Sequence, residues 1–228
     1  MASQMIAAGG IERALVVGGE TLSRFLNYDD RGTCIIFGDG AAAVVLEPCP
    51  REYGIQAFEL GADGSGAKLI MLPAGGSARP ATLDTVAAGE HYISMAGNEV
   101  FKFATSSLIN CALDLAEKAG WPLEDIDLFI PHQANIRIVE AAQRRLKIPA
   151  EKVAVNLDRY GNTSCASLPL ALAEAAETGR LKSGHKVLMV GFGVGLTWAG
   201  VALKWGGSRA LGRSSREAAT VDPQPDIQ

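Results

Sequence analysis

Three short segments of this sequence carry residues able to do chemistry on a carbonyl group. Pro131-His132-Gln133-Ala134-Asn135 follows the apolar run Ile126–Ile130. Gly161-Asn162-Thr163-Ser164 follows Val153–Asn156 and opens an alanine-rich stretch. Gly191-Phe192-Gly193-Val194-Gly195 lies between two apolar runs. In an α/β sheet, ligands bind at the carboxyl ends of strands. An imidazole and a carboxamide at neighbouring strand ends would donate two hydrogen bonds to a developing oxyanion, and N–H groups of the glycine loop would serve a second one. Each segment also has a plainer use. His132 can satisfy backbone groups at a strand end, Asn162 can cap a helix or make a turn, and Gly191–Gly195 can form a tight turn. The glycine spacing is G-x-G-x-G with no acidic residue at the right distance, so it is not a dinucleotide fingerprint. His91 and His185 fall at strand starts and read as surface or structural residues.

The elements that would position these segments alternate in type. Met1–Ala8 reads as the last turns of a helix ended by Gly9-Gly10. Arg13–Gly18, Thr33–Gly38 and Ala41–Glu47 read as strands, the last two joined by the turn Gly38-Asp39-Gly40. Pro48–Pro50 marks a break. Tyr53–Ala62 is a strand, and Asp63–Gly89 is a long loop rich in Gly, Ala and Pro. Gly97–Gly120 is a helix with Val100, Phe103, Ala104, Leu108, Cys111, Leu115 and Ala119 on one side. Ile126–Ile130 is a strand, Asn135–Leu146 a helix, Val153–Asn156 a short strand and Ser164–Thr178 a helix. Lys186–Gly191 and Leu196–Lys204 close the pattern as strands, so the class is α/β. Three units are expected: residues 1–50, residues 51–206, and a disordered tail, 207–228, of small and mixed-charge residues.

Composition narrows the function. Apolar residues make up 48% of the 228 and charged residues 20%, which supports a sizeable core. The net charge of −4 argues against a polybasic nucleic-acid surface. Cys34, Cys49, Cys111 and Cys165 are widely and irregularly spaced, which argues against a zinc site or a disulfide framework and fits a reducing, cytoplasmic compartment. Met1–Gly10 lacks the pattern of a signal peptide. Val187–Leu203 holds 17 residues without a charge, near the length of a membrane span, but its four glycines favour two buried strands around a turn.

Taken together, Asp30–Gly32 (DRG), Phe37–Ala41 (FGDGA), Ala96–Lys102 (AGNEVFK), Pro131–Arg137 (PHQANIR), Leu157–Ser164 (LDRYGNTS) and Gly191–Trp198 (GFGVGLTW) resemble the carboxyl-terminal part of the β-ketoacyl-ACP synthase III family. The resemblance runs from Gly18 to Trp205. It implies a thiolase-like fold, here with a remnant of the first half and a complete second βαβαβ-type half, and a homodimer. It also implies decarboxylative condensation of acyl-CoA with malonyl-ACP at the start of fatty-acid synthesis. CoA and phosphopantetheine enter as substrate carriers, and no metal or cofactor is implied. His132 and Asn162 match the family's catalytic pair, the His–Asn type rather than the two histidines of synthases I and II. Phe192 matches a loop residue that keeps water from the site, with Gly193 beside it. Arg31 and Asn135 match the CoA and pantetheine channel. Gln133, Ala134, Asn135, Ile136 and Arg137 match the ACP-docking segment, and Lys102 is a further docking candidate.

The family's nucleophile is a Cys that opens the helix before the strand matching Arg13–Gly18. The resemblance therefore implies that the Cys-bearing segment lies before Met1 and that this chain alone is inactive. Cys34, Cys111 and Cys165 read as packing residues, and Cys49 lies in the break between units. Two alternatives remain: a Cys-less protein that binds ACP or pairs with a Cys-bearing subunit, and a related acyltransferase. Val194 stands where the family commonly has Gly, and a positive φ there would be strained. Residues 1–50, lacking flanking strands, are expected to pack poorly on their own.

Overall fold

In chain order the elements are α1 (Ala2–Ala7), β1 (Ala14–Glu20), β2 (Gly40–Leu46), β3 (Gly54–Ala62), β4 (Ile70–Met71), α2 (Leu83–Ala87), β5 (Ser94–Met95) and α3 (Gly97–Ala119). They continue with β6 (Leu128–Pro131), α4 (Ile136–Leu146), α5 (Leu157–Tyr160), α6 (Ser167–Glu177), β7 (Lys186–Gly193) and β8 (Thr197–Lys204). The computed structural model describes residues 1–207.

The main sheet has the order β3-β8-β7-β6. β6 and β7 run parallel, while β7–β8 and β8–β3 are antiparallel. Strand alternation splits the apolar side chains between two faces. Phe129, Leu188, Val190 and Ala202 pack with Leu108, Cys111 and Leu115 of α3 and Val139, Ala142 and Leu146 of α4. Leu128, Ile130 and Val187 face the other way, onto Ala171, Leu172 and Ala175 of α6. The result is a helix–sheet–helix sandwich, and each large buried side chain adds roughly 1.5–3 kcal/mol. Gly200 allows the close approach of α3, because a Cβ there would stand 2.6 Å from Leu115 Cδ1 and 2.8 Å from Cys111 Sγ.

Local chemistry sets the helix ends. α3 stops at Gly120, which takes φ 66°, and Trp121 N–H donates back to the Ala116 carbonyl. α4 starts where Asn135 Oδ1 accepts from Arg137 N–H at 2.9 Å. β1 and β2 form a separate antiparallel pair, in register from Ala14–Leu46 to Glu20–Gly40. This pair rests on α6 and on the turn Ser164–Ala166. Leu15, Val17 and Val45 stand exposed on it.

The structure departs from the pattern reading in several places. Thr33–Gly38 is not a strand of a hairpin. Asp30 takes the Thr33 hydroxyl at 2.7 Å and the Gly32 N–H at 2.8 Å, which folds this stretch into turns, and Phe37 instead bridges to Asn162. β2 therefore pairs with β1. Cys34 lies in these turns, not in a buried strand. Val153–Asn156 keeps one bridge, Phe129 to Val153, and forms no named strand. The 63–89 loop contains β4 and α2, with α2 held by a Thr82–Thr85 capping box. Val187–Leu203 falls in β7, β8 and their turn, as expected, and among the described residues no helix is long and apolar enough to cross a membrane. The expected tail lies outside the described residues apart from Gly207.

Candidate active site

Strand β6 delivers His132 to its place. The His132 N–H donates to the Val190 carbonyl at 2.8 Å, extending the β6–β7 pairing one residue past the strand. The chain then turns on Gln133, which is fully buried. Gln133 Nε2 donates to the carbonyls of Pro131 (2.7 Å) and Ala154 (3.1 Å), and its Oε1 accepts from Asn156 N–H at 3.0 Å. Three backbone groups that the missing strand would have paired are satisfied in this way.

Asn162 reaches the same cleft from the turn that follows α5. Its N–H donates to the Ile36 carbonyl at 3.0 Å, and its carbonyl accepts from Gly38 N–H at 2.9 Å. A Cβ on Gly38 would run into the Tyr160 carbonyl oxygen, so this approach requires glycine. The FGDGA segment thus acts at a distance, by pinning the Asn162 backbone. The Asn162 side chain is oriented as well. Its Oδ1 accepts from Ser164 N–H at 2.9 Å, and Ser164 takes φ 53° to deliver that bond.

His132 and Asn162 line one open cleft of about 1250 Å³. His132 Nδ1 lies 2.6 Å from Ser167 Oγ. Among the described residues His132 Nε2 and Asn162 Nδ2 have no protein partner, yet neither is sealed from solvent. Two nitrogens are therefore left to face a ligand in the cleft, the Asn162 amide as a donor and His132 Nε2 in the role its tautomer sets. Burial pushes the His132 imidazole down to about 4, so it is neutral at pH 7. Phe192 meets its ring edge-on, with centroids 5.0 Å apart. Leu22, Phe25, Ile36, Phe37, Phe101 and Trp198 give the cleft apolar walls.

The structure brings most of the expected site residues together. Ala134, Asn135, Arg137, Phe192 and Gly193 also line the cleft. Arg31 does not, although its neighbour Gly32 does, and Arg31 is exposed. Gln133 is corrected as a docking residue: a side chain with no exposed surface and all its bonds turned inward cannot meet a partner. Ile136 and Arg137 are exposed, and the Arg137 guanidinium lies 5.8 Å from the Phe101 ring centroid. Val194 has no positive φ, so the strain anticipated there is absent. Cys165 is exposed and donates to Glu20 Oε1 at 3.0 Å, which corrects its reading as a packing residue. Ser164, Ser167 and Glu20 were not singled out from sequence. The Asn-x-Ser spacing of an Asx turn could have found Ser164. Nothing local marks Ser167 or Glu20.

Neither Cys111 nor Cys165 is suited to nucleophilic work at neutral pH. Burial pushes the Cys111 thiol up to about 12. Desolvation and the Glu20 carboxylate push the Cys165 thiol upward as well. Among the described residues no group of three His, Cys, Asp or Glu could hold a metal ion.

Residues 1–64 match the family described as 3-oxoacyl-[acyl-carrier-protein (ACP)] synthase III, and residues 116–205 match the C-terminal domain of the same family. The chain is 56% identical over 204 residues to the β-ketoacyl-[acyl-carrier-protein] synthase III of Desulfitobacterium hafniense, covering 90% of this chain and 62% of that protein. It resembles the crystal structure of the Thermus thermophilus β-ketoacyl-[acyl carrier protein] synthase III with a TM-score of 0.83 at 47% identity, covering 91% of this chain and 63% of the other. The priming β-ketosynthase of the R1128 polyketide pathway follows at 33% identity and a TM-score of 0.79, covering 91% of this chain and 61% of that chain. The chain thus spans somewhat less than two thirds of the length of these relatives. The layered sheets and helices are those of the thiolase-like fold.

Proposed function

Because this chain belongs to the β-ketoacyl-[acyl-carrier-protein] synthase III family, we propose that His132 and Asn162 form the decarboxylation half of a condensing site that joins acyl-CoA to malonyl-ACP and begins fatty-acid synthesis. One observation carries the reading: two nitrogens, His132 Nε2 and Asn162 Nδ2, are left unpaired in one cleft while the opposite atom of each side chain is tied down. The malonyl thioester oxygen accepts from both. As the bond from the α-carbon to the carboxylate breaks, CO2 leaves and the electron pair passes to the thioester, giving an enolate whose oxygen the two donors stabilise. The enolate carbon then attacks the carbonyl of an acyl group held as a thioester, a C–C bond forms, and the thiolate that held the acyl group leaves while the product stays on ACP. A neutral imidazole suits this step, because the oxyanion needs hydrogen bonds rather than a full proton. Phe192 keeps water from the reacting atoms.

The acyl-carrying thiol is assigned to a residue outside this sequence. Cys111 is buried on the sheet-facing side of α3, Cys165 is held protonated against Glu20, and Cys34 and Cys49 do not line the cleft. On this reading the chain alone decarboxylates but does not condense. The exposed Leu15, Val17 and Val45 support packing of β1 and β2 on further polypeptide, either a Cys-bearing segment or a second subunit. Arg137 and Asn135, which line the cleft, with the exposed Ile136 and Lys102, receive ACP and its pantetheine arm, Arg137 pairing with acidic groups of ACP. The chain would work in the cytoplasm without a metal or redox cofactor.

The test is CO2 release from carboxyl-labelled malonyl-ACP. His132→Ala and Asn162→Ala should each lower the rate about 10²-fold or more, the loss seen when one oxyanion donor is removed. Unchanged release in both variants would refute the pairing. Labelled acyl transfer from acyl-CoA onto this chain would overturn the assignment of the thiol elsewhere.

A further inference from the structure

His132 donates to an oxyanion only if its proton sits on Nε2. A neutral imidazole has two tautomers, and something must choose. The atom in contact with Nδ1 is Ser167 Oγ at 2.6 Å, across a sequence separation of 35 residues. Ser167 is the first residue of α6 and only 1% exposed. Among the described residues its hydroxyl has no other hydrogen-bond partner.

That isolation decides the direction of the bond. If the Ser167 oxygen accepted from an Nδ1–H, its own O–H would be buried without an acceptor, at a cost of roughly 1–3 kcal/mol. If the O–H donates to the Nδ1 lone pair, both groups are satisfied. The proton of the ring then lies on Nε2, which has no protein partner and opens on the cleft. We propose that Ser167 is a positioning residue whose hydroxyl donates to His132 Nδ1 and locks the imidazole in the tautomer that presents an N–H to the substrate. The functional part of this inference rests on the decarboxylation reading above; the tautomer itself does not.

The two can be separated by experiment. The full chain is labelled with 15N-histidine, and two-bond 15N–1H correlation spectra assign the ring nitrogens of its three histidines. His132 is expected as the Nε2–H tautomer, with its Nδ1 resonance displaced in the manner of a hydrogen-bonded acceptor. Ser167→Ala should release that displacement and admit the second tautomer. It should also slow malonyl-ACP decarboxylation about tenfold, the worth of one neutral hydrogen bond. Ser167→Cys, which keeps a weak donor, should restore part of both. An Nδ1–H tautomer in the wild-type chain overturns the proposal, and this measurement stands even if a variant fails to fold. So does an unchanged Nδ1 resonance in Ser167→Ala, or a variant that decarboxylates at the wild-type rate. The expected tautomer with no decarboxylation by any form sustains the Ser167 assignment and removes the condensation reading instead.

Discussion

Acidification should unfold this protein partly through His132, in a pH window set by its burial. The imidazole is 8% exposed and lies between the Phe192 ring and Ser167. Its pKa falls from an ordinary 6.5 to about 4 because the charged form loses its hydration. The unfolded chain takes up the proton first. The stabilisation is therefore complete above pH 6.5 and is lost as pH falls toward 4, where the native imidazole is protonated too. At roughly 1.4 kcal/mol per pH unit, the loss comes to about 2 kcal/mol at pH 5 and roughly 3 kcal/mol by pH 4. That is a large share of the 5–15 kcal/mol typical of a domain. Asp30, Asp39 and Asp63, held below the ordinary carboxylate value of 3.8 by hydrogen bonds from Thr33, Ser23 and Ser65, act below this window. Urea unfolding of the wild type and of His132→Gln at pH 7, 6 and 5 isolates the imidazole, because every other group titrates alike in both. The stability difference between the two proteins should move by about 2 kcal/mol from pH 7 to pH 5, against the wild type. A difference constant to within about 0.5 kcal/mol, the usual additivity error, would refute a buried neutral His132.

Three further outcomes are expected. Gly38→Ala should push the Ile36–Gly38 segment off Asn162, costing about 1–3 kcal/mol by overpacking and lowering malonyl decarboxylation in step; an unchanged urea midpoint would show that the Tyr160 carbonyl yields to the new methyl. Gln133→Leu should strand the Pro131 and Ala154 carbonyls and the Asn156 N–H, for a loss of at least about 2 kcal/mol in denaturant unfolding; a near-neutral result would mean that water replaces the amide. Arg137→Glu should raise the KM for malonyl-ACP severalfold with little change in kcat, and an unchanged KM would take Arg137 out of the docking surface.

Much of the fold was legible because its signals are local. The helical spacing of Ala104, Leu108, Cys111 and Leu115, ended by a glycine, specified α3 almost to the residue. The uncharged run after Lys186, broken by glycines, specified two strands rather than a span. Where pattern failed, a side chain competed with the ladder. Asp30 drew Thr33 and Gly32 into turns, and Gln133 took over hydrogen bonds that a strand at Val153–Asn156 would have made.

The sequence by itself singled out the residues to which the proposed chemistry is assigned. His132 and Asn162 stand in runs specific enough to name a family, and their types limit what they can donate. Only the tertiary structure decided how those side chains are held. That the Asn162 carboxamide is turned by Ser164, that its backbone is pinned by Gly38, and that the His132 proton is placed by Ser167 all depend on atoms brought within about 3 Å. Hydrogen-bond direction is a property of such contacts. The bond to Ser167 joins residues 35 apart and the backbone pairing of Gly38 with Asn162 joins residues still further apart, so no local pattern could have announced either.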